Sequence, residues 1–434
     1  MRDAPYQLAT HTLENGLTVS TVEMPHLHST TISLFVRVGS RHETPETNGL
    51  THFMEHMLFR GCAGYPDSTA LNMAMEDLGG TLDGYTMREL SSYHSTVHPD
   101  YVGEGMDIIG SMFTSPSFRD IDIERSIILE EILDSLDERG RVIELDTIAH
   151  REAFRGHPLG QSIDGPRKNL RRFSVADLEK HRQRFLGAEN MVLCVAGRLD
   201  PGKVLVDARR TFGKLPRGKR VKETAPALPS DAPRFTYVRA DDTQTRVRMS
   251  FRTVHDQHPD YPALVLLRRV LDGGLSSRLQ VELVEKRGIA YDVSADLETY
   301  ADCGLLDFEL AVAHKKLPYA FEELTRVIRE MVTDGVATDE LARTQRRARI
   351  GLELVLDSAY DLGTWFGSTQ LYRAPLTPEA RIAQLEQVTA DAVRKVAEKY
   401  LSPRRMTVAA VGNAPTATVR AARTTIARFV EEMS

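Results

Sequence analysis

Cysteine is scarce in this chain of 434 residues: Cys62, Cys194 and Cys303 are odd in number and far apart. That argues against a disulfide framework and suits reduced thiols in a reducing compartment, each acting as a small buried side chain. Long hydrophobic runs are missing as well. No stretch of 18 apolar residues occurs, and Met1-Arg2-Asp3-Ala4-Pro5 leads into strand-like sequence without an apolar signal segment. The expectation is a cytoplasmic protein with no membrane span. Nor is charge of one sign in excess. Lys and Arg number 55 against 61 Asp and Glu, a net charge of -6, which leaves neither a nucleic-acid footprint nor an acidic tail.

What the chain does have is apolar material, 41% of its residues, and length enough for roughly two to four domains. It also repeats itself. Ser174 reads as a helix cap, followed 11 positions on by Phe185 and 23 positions on by Gly197, which closes the strand-like run from Asn190. Thr389, Tyr400 and Gly412 recur at the same spacings of 11 and 23. Two halves on one plan follow: residues 1–214, a linker at 215–233 rich in Pro, Lys, Arg and Ala, and residues 234–434. The turn Glu14-Asn15-Gly16 and the alternation of Ile32, Leu34, Val36 and Val38 signal strands, and long helical patterns come after them. Each half therefore reads as α+β, a mostly antiparallel sheet with helices packed on a face.

The chemistry concentrates in Gly49 to Gly61, read as a short, largely buried helix. His52 and His56 stand at i and i+4, so both imidazoles leave one face about a turn apart, as two ligands of one ion require. Glu55 shares that face. A single buried histidine is usually a core residue bonded to backbone, but H-x-x-E-H is expected by chance only on the order of a few hundredths of a time in such a chain, and the pattern is a recorded zinc-peptidase signature. A third ligand is sought in a helical stretch from Asp120 to Leu136. There Ile127, Ile128 and Ile132 define an apolar stripe, with Glu124 and Glu131 on or beside it at i and i+7. Two carboxylates facing a core need a cation, since an unpaired buried charge costs many kcal/mol. Glu130 points about 100° away, which favours Glu131. A solvated acidic face is the alternative.

With 74 residues between the histidine motif and Glu131, the chain resembles the pitrilysin family of zinc metallopeptidases. This family includes the mitochondrial processing peptidase, whose beta subunit it resembles, and bacterial relatives. Val38-Gly39-Ser40-Arg41, Gly79-Gly80 with the Thr86 to Tyr93 stretch, and Gly288-Ile289-Ala290-Tyr291 extend the likeness over essentially the whole chain. The resemblance implies one Zn²⁺ held by His52, His56 and Glu131, with Glu55 as general base and Glu124 holding a ligating histidine in its tautomer. It also implies that substrate is added as a strand to a sheet edge carrying Gly79, Gly80, Asp83 and Gly84. Here Asp and Gly depart from the Asn and Ala of relatives.

The second half has no copy of the metal motif. Leu264, Leu267 and Arg268 stand opposite His52, Glu55 and His56. Active relatives supply from this half an Arg and, seven residues later, a Tyr that grip the substrate. Tyr291 matches the Tyr, Val284 replaces the Arg, and Arg287 comes three residues late. The departure suggests the zinc-bearing half of a heterodimer whose homologous partner supplies the Arg and Tyr, with a homodimer as the alternative. Three functions are compatible with this: a general peptidase for unfolded segments, a maturation peptidase for one precursor, and a zinc-free structural subunit, which the intact motif disfavours. His94 and His98 share the i,i+4 spacing but lack a carboxylate between them and precede Pro99. The basic run from Arg343 to Arg349 reads as a solvated helix face.

Overall fold

The Asn15-Gly16 pair turns the chain as its composition demands: Gly16 sits at φ 94°, and strands β1 (Gln7–Thr12) and β2 (Thr18–Glu23) pair antiparallel on either side of it. The computed structural model describes residues 5–228 and 233–433. Met1 to Ala4, residues 229–232 of the expected linker, and Ser434 lie outside the described residues. Four more strands, β3 (Thr30–Val36), β4 (Asp83–Thr86), β5 (Ser91–Val97) and β6 (Met191–Gly197), complete a first sheet in the order β1-β2-β6-β3-β5-β4. A second sheet has the order β7-β11-β8-β10-β9, formed by β7 (Arg234–Arg239), β8 (Thr245–Thr253), β9 (Ala290–Thr299), β10 (Gly304–Val312) and β11 (Met406–Gly412).

The repeat seen in the sequence reappears in the topology. β6 lies between a parallel neighbour, β2, and an antiparallel one, β3; β11 lies likewise between parallel β7 and antiparallel β8. Ser174 and Thr389 both cap helices, accepting from the N–H groups of Asp177 and Ala392.

The compact units do not coincide with the two contiguous halves, because each half lends a segment to the other's unit. The first unit comprises Met1–Ile132, Gln161–Lys222 and Leu352–Thr377; the second comprises Leu133–Gly160, Glu223–Gly351 and Pro378–Ser434. The lent segments explain a detail of burial. β3 is buried along its whole length rather than on alternate residues, because its two faces are both covered. Helices α1 (Leu50–Leu58), α2 (Ser68–Glu76) and α3 (Val102–Thr114) belong to this unit, and α3 packs against the Ile32 side at Gly105. The helix Ala359–Gln370, from the lent segment, sets Leu362 and Phe366 against Phe35, Val192 and Cys194 on the other. After α4 (Ile121–Glu131), the segment lent in the opposite direction carries α5 (Leu145–Ala153), whose Leu145, Ile148 and Ala149 cover Ala409 and Val411 of the second sheet.

α4 ends at Glu131 and passes into a 3-10 turn at Ile132–Ser135, so it is shorter than the helix expected to Leu136. The expected apolar stripe is also incomplete. Ile128 and Ile132 are buried, but Ile127 is 47% exposed. No described helix is long and apolar enough to cross a membrane.

Candidate metal centre

α1 starts at Gly49, whose φ of 97° is left-handed and which has no room for a side chain: a Cβ would stand 2.4 Å from the carbonyl oxygen of Asp164. Gly165 meets Asn48 just as closely from the other side. The first turn of the helix is then held by Glu43, a fully buried carboxylate. It accepts from Asn48 Nδ2 at 3.0 Å, Gly49 N at 2.8 Å and Thr51 N at 2.6 Å. Burial raises the Glu43 pKa above its ordinary value while these donors pull it down. A negative charge at a helix N-terminus satisfies orphan N–H groups and complements the helix dipole.

From this pinned helix His52 and His56 project together. Their Nε2 atoms are 3.2 Å apart and the rings stand nearly perpendicular. Glu131, at the end of α4, places Oε2 at 3.5 Å from His56 Nε2 and Oε1 at 3.9 Å from His52 Nε2. Tetrahedral zinc with bonds of 2.0–2.1 Å needs ligand atoms about 3.3–3.4 Å apart. The 3.2 Å and 3.5 Å separations come close to that spacing and the 3.9 Å one exceeds it, and the three residues form the one group of three candidate ligands found together among the described residues.

The protonation states suit ligation. His56 Nδ1 is 2.7 Å from Glu124 Oε1, so the hydrogen bond assigns the proton to Nδ1 and leaves the Nε2 lone pair free. Burial opposes charge on His56, but the bond to Glu124 and the nearby carboxylates outweigh it and raise its pKa. Glu124 is 6% exposed, and its second oxygen takes Arg60 Nε at 3.2 Å. His52 is held neutral: burial first, and then His56, lower its pKa to about 3. Its Nδ1 is buried without a hydrogen-bond partner, with Asp164 Oδ1 3.7 Å away. Glu55 lies beside the ligands and accepts the Thr86 hydroxyl at 2.5 Å. Burial raises its pKa above the usual carboxylate value, against the pull of that bond.

The structure brings together these five residues that the sequence singled out, but the argument for Glu131 holds only in part. Glu124 is buried as expected, whereas the Glu131 side chain is half exposed and does not face a core. Geometry, not desolvation, is what brings it to the histidines.

Thr86 belongs to β4, which is the outer strand of its sheet. Gly79 turns into it at φ 81°, and a Cβ on Gly80 would meet the Thr96 carbonyl oxygen at 2.7 Å. A Cβ on Gly84 would lie 2.9 Å from the Phe59 ring. Asp83 lies on the same strand and is exposed. In the second unit Tyr291 is 94% exposed on β9, also an outer strand. Val284 sits in a π-helical turn, Gln280–Glu285, and Arg287 is tied to Glu282 at 2.7 Å and Glu323 at 2.9 Å. Sequence reasoning missed Glu43, Arg60, Thr86 and Asp164. The Asn48-Gly49 pair hints at a helix start and its partner Glu43 is only five residues before Asn48, but Ser162 and Asp164 are too distant in the chain for periodicity to reveal.

Comparison with known proteins agrees with this geometry. Residues 18–167 match the family described as Insulinase (Peptidase family M16), and residues 172–348 match its companion, the Peptidase M16 inactive domain. An uncharacterized zinc protease of Mycobacterium tuberculosis is 31% identical over 91% of this chain and 90% of its own length. The beta subunit of the mitochondrial processing peptidase of Blastocladiella emersonii is 29% identical over 92% of this chain and 87% of that protein. A protease from Helicobacter pylori, at 19% identity, shares the fold with a TM-score of 0.87 over 94% of this chain and 99% of its own.

Proposed function

The chain belongs to the M16 family of peptidases, the pitrilysin type with its zinc proteases, and from that premise we propose that it is a zinc-dependent endopeptidase for extended or unfolded peptides. The observation that carries the reading is the set of His52, His56 and Glu131 atoms close to zinc-ligand separations, with Glu55 linked by Thr86 to an outer strand.

In this reading His52, His56 and Glu131 would hold one zinc ion, which would supply Lewis acidity to the site when bound. Glu55 takes the proton of the attacking water and hands it to the departing amine. Its raised pKa suits both halves of that task, because a group that must accept and then donate works best near the ambient pH. Thr86 orients the Glu55 carboxylate. Glu124 fixes the His56 ring in the tautomer that offers Nε2, and Arg60 keeps that carboxylate in place. The unpaired side of β4, with Gly79 and Gly80 at its entry and Asp83 and Gly84 along it, takes an extended peptide by main-chain hydrogen bonds. A folded protein surface offers no such strand, so flexible segments are the substrates.

The zinc-bearing subunit of a two-subunit enzyme is the form we propose. Val284 stands where active relatives have Arg, and Arg287 is held by two carboxylates, so Tyr291 is without its partner residue in this chain. The test is metal content and hydrolysis of a quenched, unstructured peptide by the purified chain, beside Glu55→Gln and a chelator control. About one zinc per chain, with activity lost in both controls, supports the peptidase. Zinc without activity supports the missing partner, and full activity alone with Tyr291→Phe inactive refutes the two-subunit form. A folded chain that binds no zinc would sink the enzyme reading in favour of a structural subunit.

A further inference from the structure

The two histidines of the metal centre are not held alike. His56 gives its Nδ1 proton to Glu124, whereas His52 Nδ1 is buried and makes no hydrogen bond among the described residues. His52 Nε2 is the atom that meets His56 Nε2 and the Glu131 carboxylate, so a ligating His52 carries its proton on Nδ1. That leaves a buried N–H donor without an acceptor, an arrangement folded proteins avoid. His52 also stands farther from the third ligand than His56 does, at 3.9 Å against 3.5 Å, and is the ring with more to gain from an orienting contact.

Beside that donor is Asp164, with Oδ1 3.7 Å from Nδ1. Its backbone is sewn to the start of α1. The Asp164 carbonyl oxygen abuts Gly49, and a Cβ on Gly165, itself at a left-handed φ of 74°, would lie 2.3 Å from Asn48 O. Around this contact Gln161 Nε2 donates to Glu43 O at 3.0 Å, Asn48 Nδ2 to Ser162 O at 2.7 Å, and Asn169 Nδ2 to Asn48 O at 3.0 Å. Residues 161–169 and the metal helix belong to the same compact unit. The backbone therefore keeps Asp164 next to His52 whatever its side chain does. A charge-assisted N–H···O bond of about 2.8 Å is about 0.9 Å shorter than the present separation, and a turn about the aspartate's side-chain bonds moves Oδ1 by more than that.

We propose that Asp164 is the positioning residue of His52: in the zinc-loaded chain its carboxylate accepts from Nδ1–H, fixes the ring and its tautomer, and strengthens Nε2 as a ligand. Each imidazole is then backed by an acid from a different segment, His56 by Glu124 of α4 and His52 by Asp164 of the loop that precedes the helical turn Arg167–Leu170. The inference rests on the reading of His52, His56 and Glu131 as zinc ligands.

The test uses the full chain and zinc itself, with affinity read by competition against a chromophoric chelator. Asp164→Ala is expected to weaken zinc about 10–100-fold, and Asp164→Asn, which keeps an oxygen acceptor without the charge, by a smaller factor. Thermal unfolding of the metal-free chain separates orientation from mere support, and Asp164→Asn should leave that Tm unchanged. In the zinc-loaded chain with 15N-labelled histidine, a hydrogen-bonded Nδ1–H signal of His52 should appear downfield and vanish in Asp164→Ala while that of His56 stays. If Asp164→Ala does not fold, Asp164→Asn decides: its His52 signal should move upfield as zinc weakens, and no change in either overturns the assignment. Unchanged zinc affinity in Asp164→Ala, or a His52 signal that persists there, overturns it as well. So does a loss of zinc that only follows a fall in metal-free stability, which would make Asp164 a structural residue. A parent chain that binds no zinc sinks the zinc reading itself, whereas a zinc-loaded parent with an indifferent Asp164→Ala sinks the positioning role alone.

Discussion

Replacing Glu43 by Ala should damage the metal centre from a distance, and the hydrogen bonds give the size of the effect. The substitution leaves the N–H groups of Gly49 and Thr51 without their acceptor, and one of the two Asn48 amide hydrogens as well; the other keeps Ser162 O at 2.7 Å. Each orphaned buried donor costs about 1–3 kcal/mol. Part of that is recovered, because the carboxylate itself is unfavourably buried, as its raised pKa records. The net expectation is a loss of about 3 kcal/mol in stability. His52 follows Thr51 directly, so fraying of this first turn displaces one ligand. Zinc affinity should fall by roughly tenfold, at the lower end of what loss of a supporting contact does to a metal site. Thermal unfolding of the metal-free chain measures the first effect and competition with a chromophoric chelator the second. Glu46→Gln, an exposed carboxylate of the same loop, is the control. If Glu43→Ala matches that control in both measurements, the claim that Glu43 anchors the metal helix is wrong.

Glu124→Gln should lower zinc affinity by about 10–100-fold with the fold intact, because the amide cannot serve both His56 Nδ1 and Arg60 as acceptor; an unchanged chelator titration would refute this. Gly84→Ala should destabilise the first unit by about 1–3 kcal/mol through the Phe59 ring, with Phe59→Leu restoring part of the loss in the double variant, as chemical denaturation would show. Asp307 tests the second unit. Burial raises its pKa from 3.8 to about 6, so the fold resists its ionisation. Its contribution is most favourable below about pH 4, weakens as pH rises toward 6, and stays low above that, a span of about 3 kcal/mol at 1.36 kcal/mol per unit. Asp307→Asn should therefore flatten stability against pH over that window and be the more stable form at pH 7, and a parallel pair of pH profiles would exclude the assignment.

How much of this was legible depends on the range of each contact. His52, Glu55 and His56 are readable because one helical turn relates them, and the caps Ser174 and Thr389 because their bonds close within three residues. Glu131 is found through its spacing from Glu124, yet the burial argument for it fails: Ile127 faces solvent and the Glu131 side chain is half exposed. Beyond Glu43, the support of α1 comes from far along the chain and escapes the sequence. Asn169 Nδ2 donates to Asn48 O at 3.0 Å across 121 positions, and no periodicity encodes such a pair. The two-repeat plan is legible in the matched spacings of Ser174, Phe185 and Gly197 with Thr389, Tyr400 and Gly412, whereas the lent segments are not, because a helix that covers its own sheet and one that covers another's have the same amphipathic pattern.

That lending changes what a half of this chain is. A polypeptide stopping in the linker would carry Phe35, Val192 and Cys194 with their cover, the helix Ala359–Gln370, left behind on the other piece. The complementary piece would carry Ala409 and Val411 stripped of α5. Repetition in the sequence is therefore not independence in folding. A protease that nicks the linker would leave two pieces that each need the other's helix, and neither half of the gene would serve as a transplantable module.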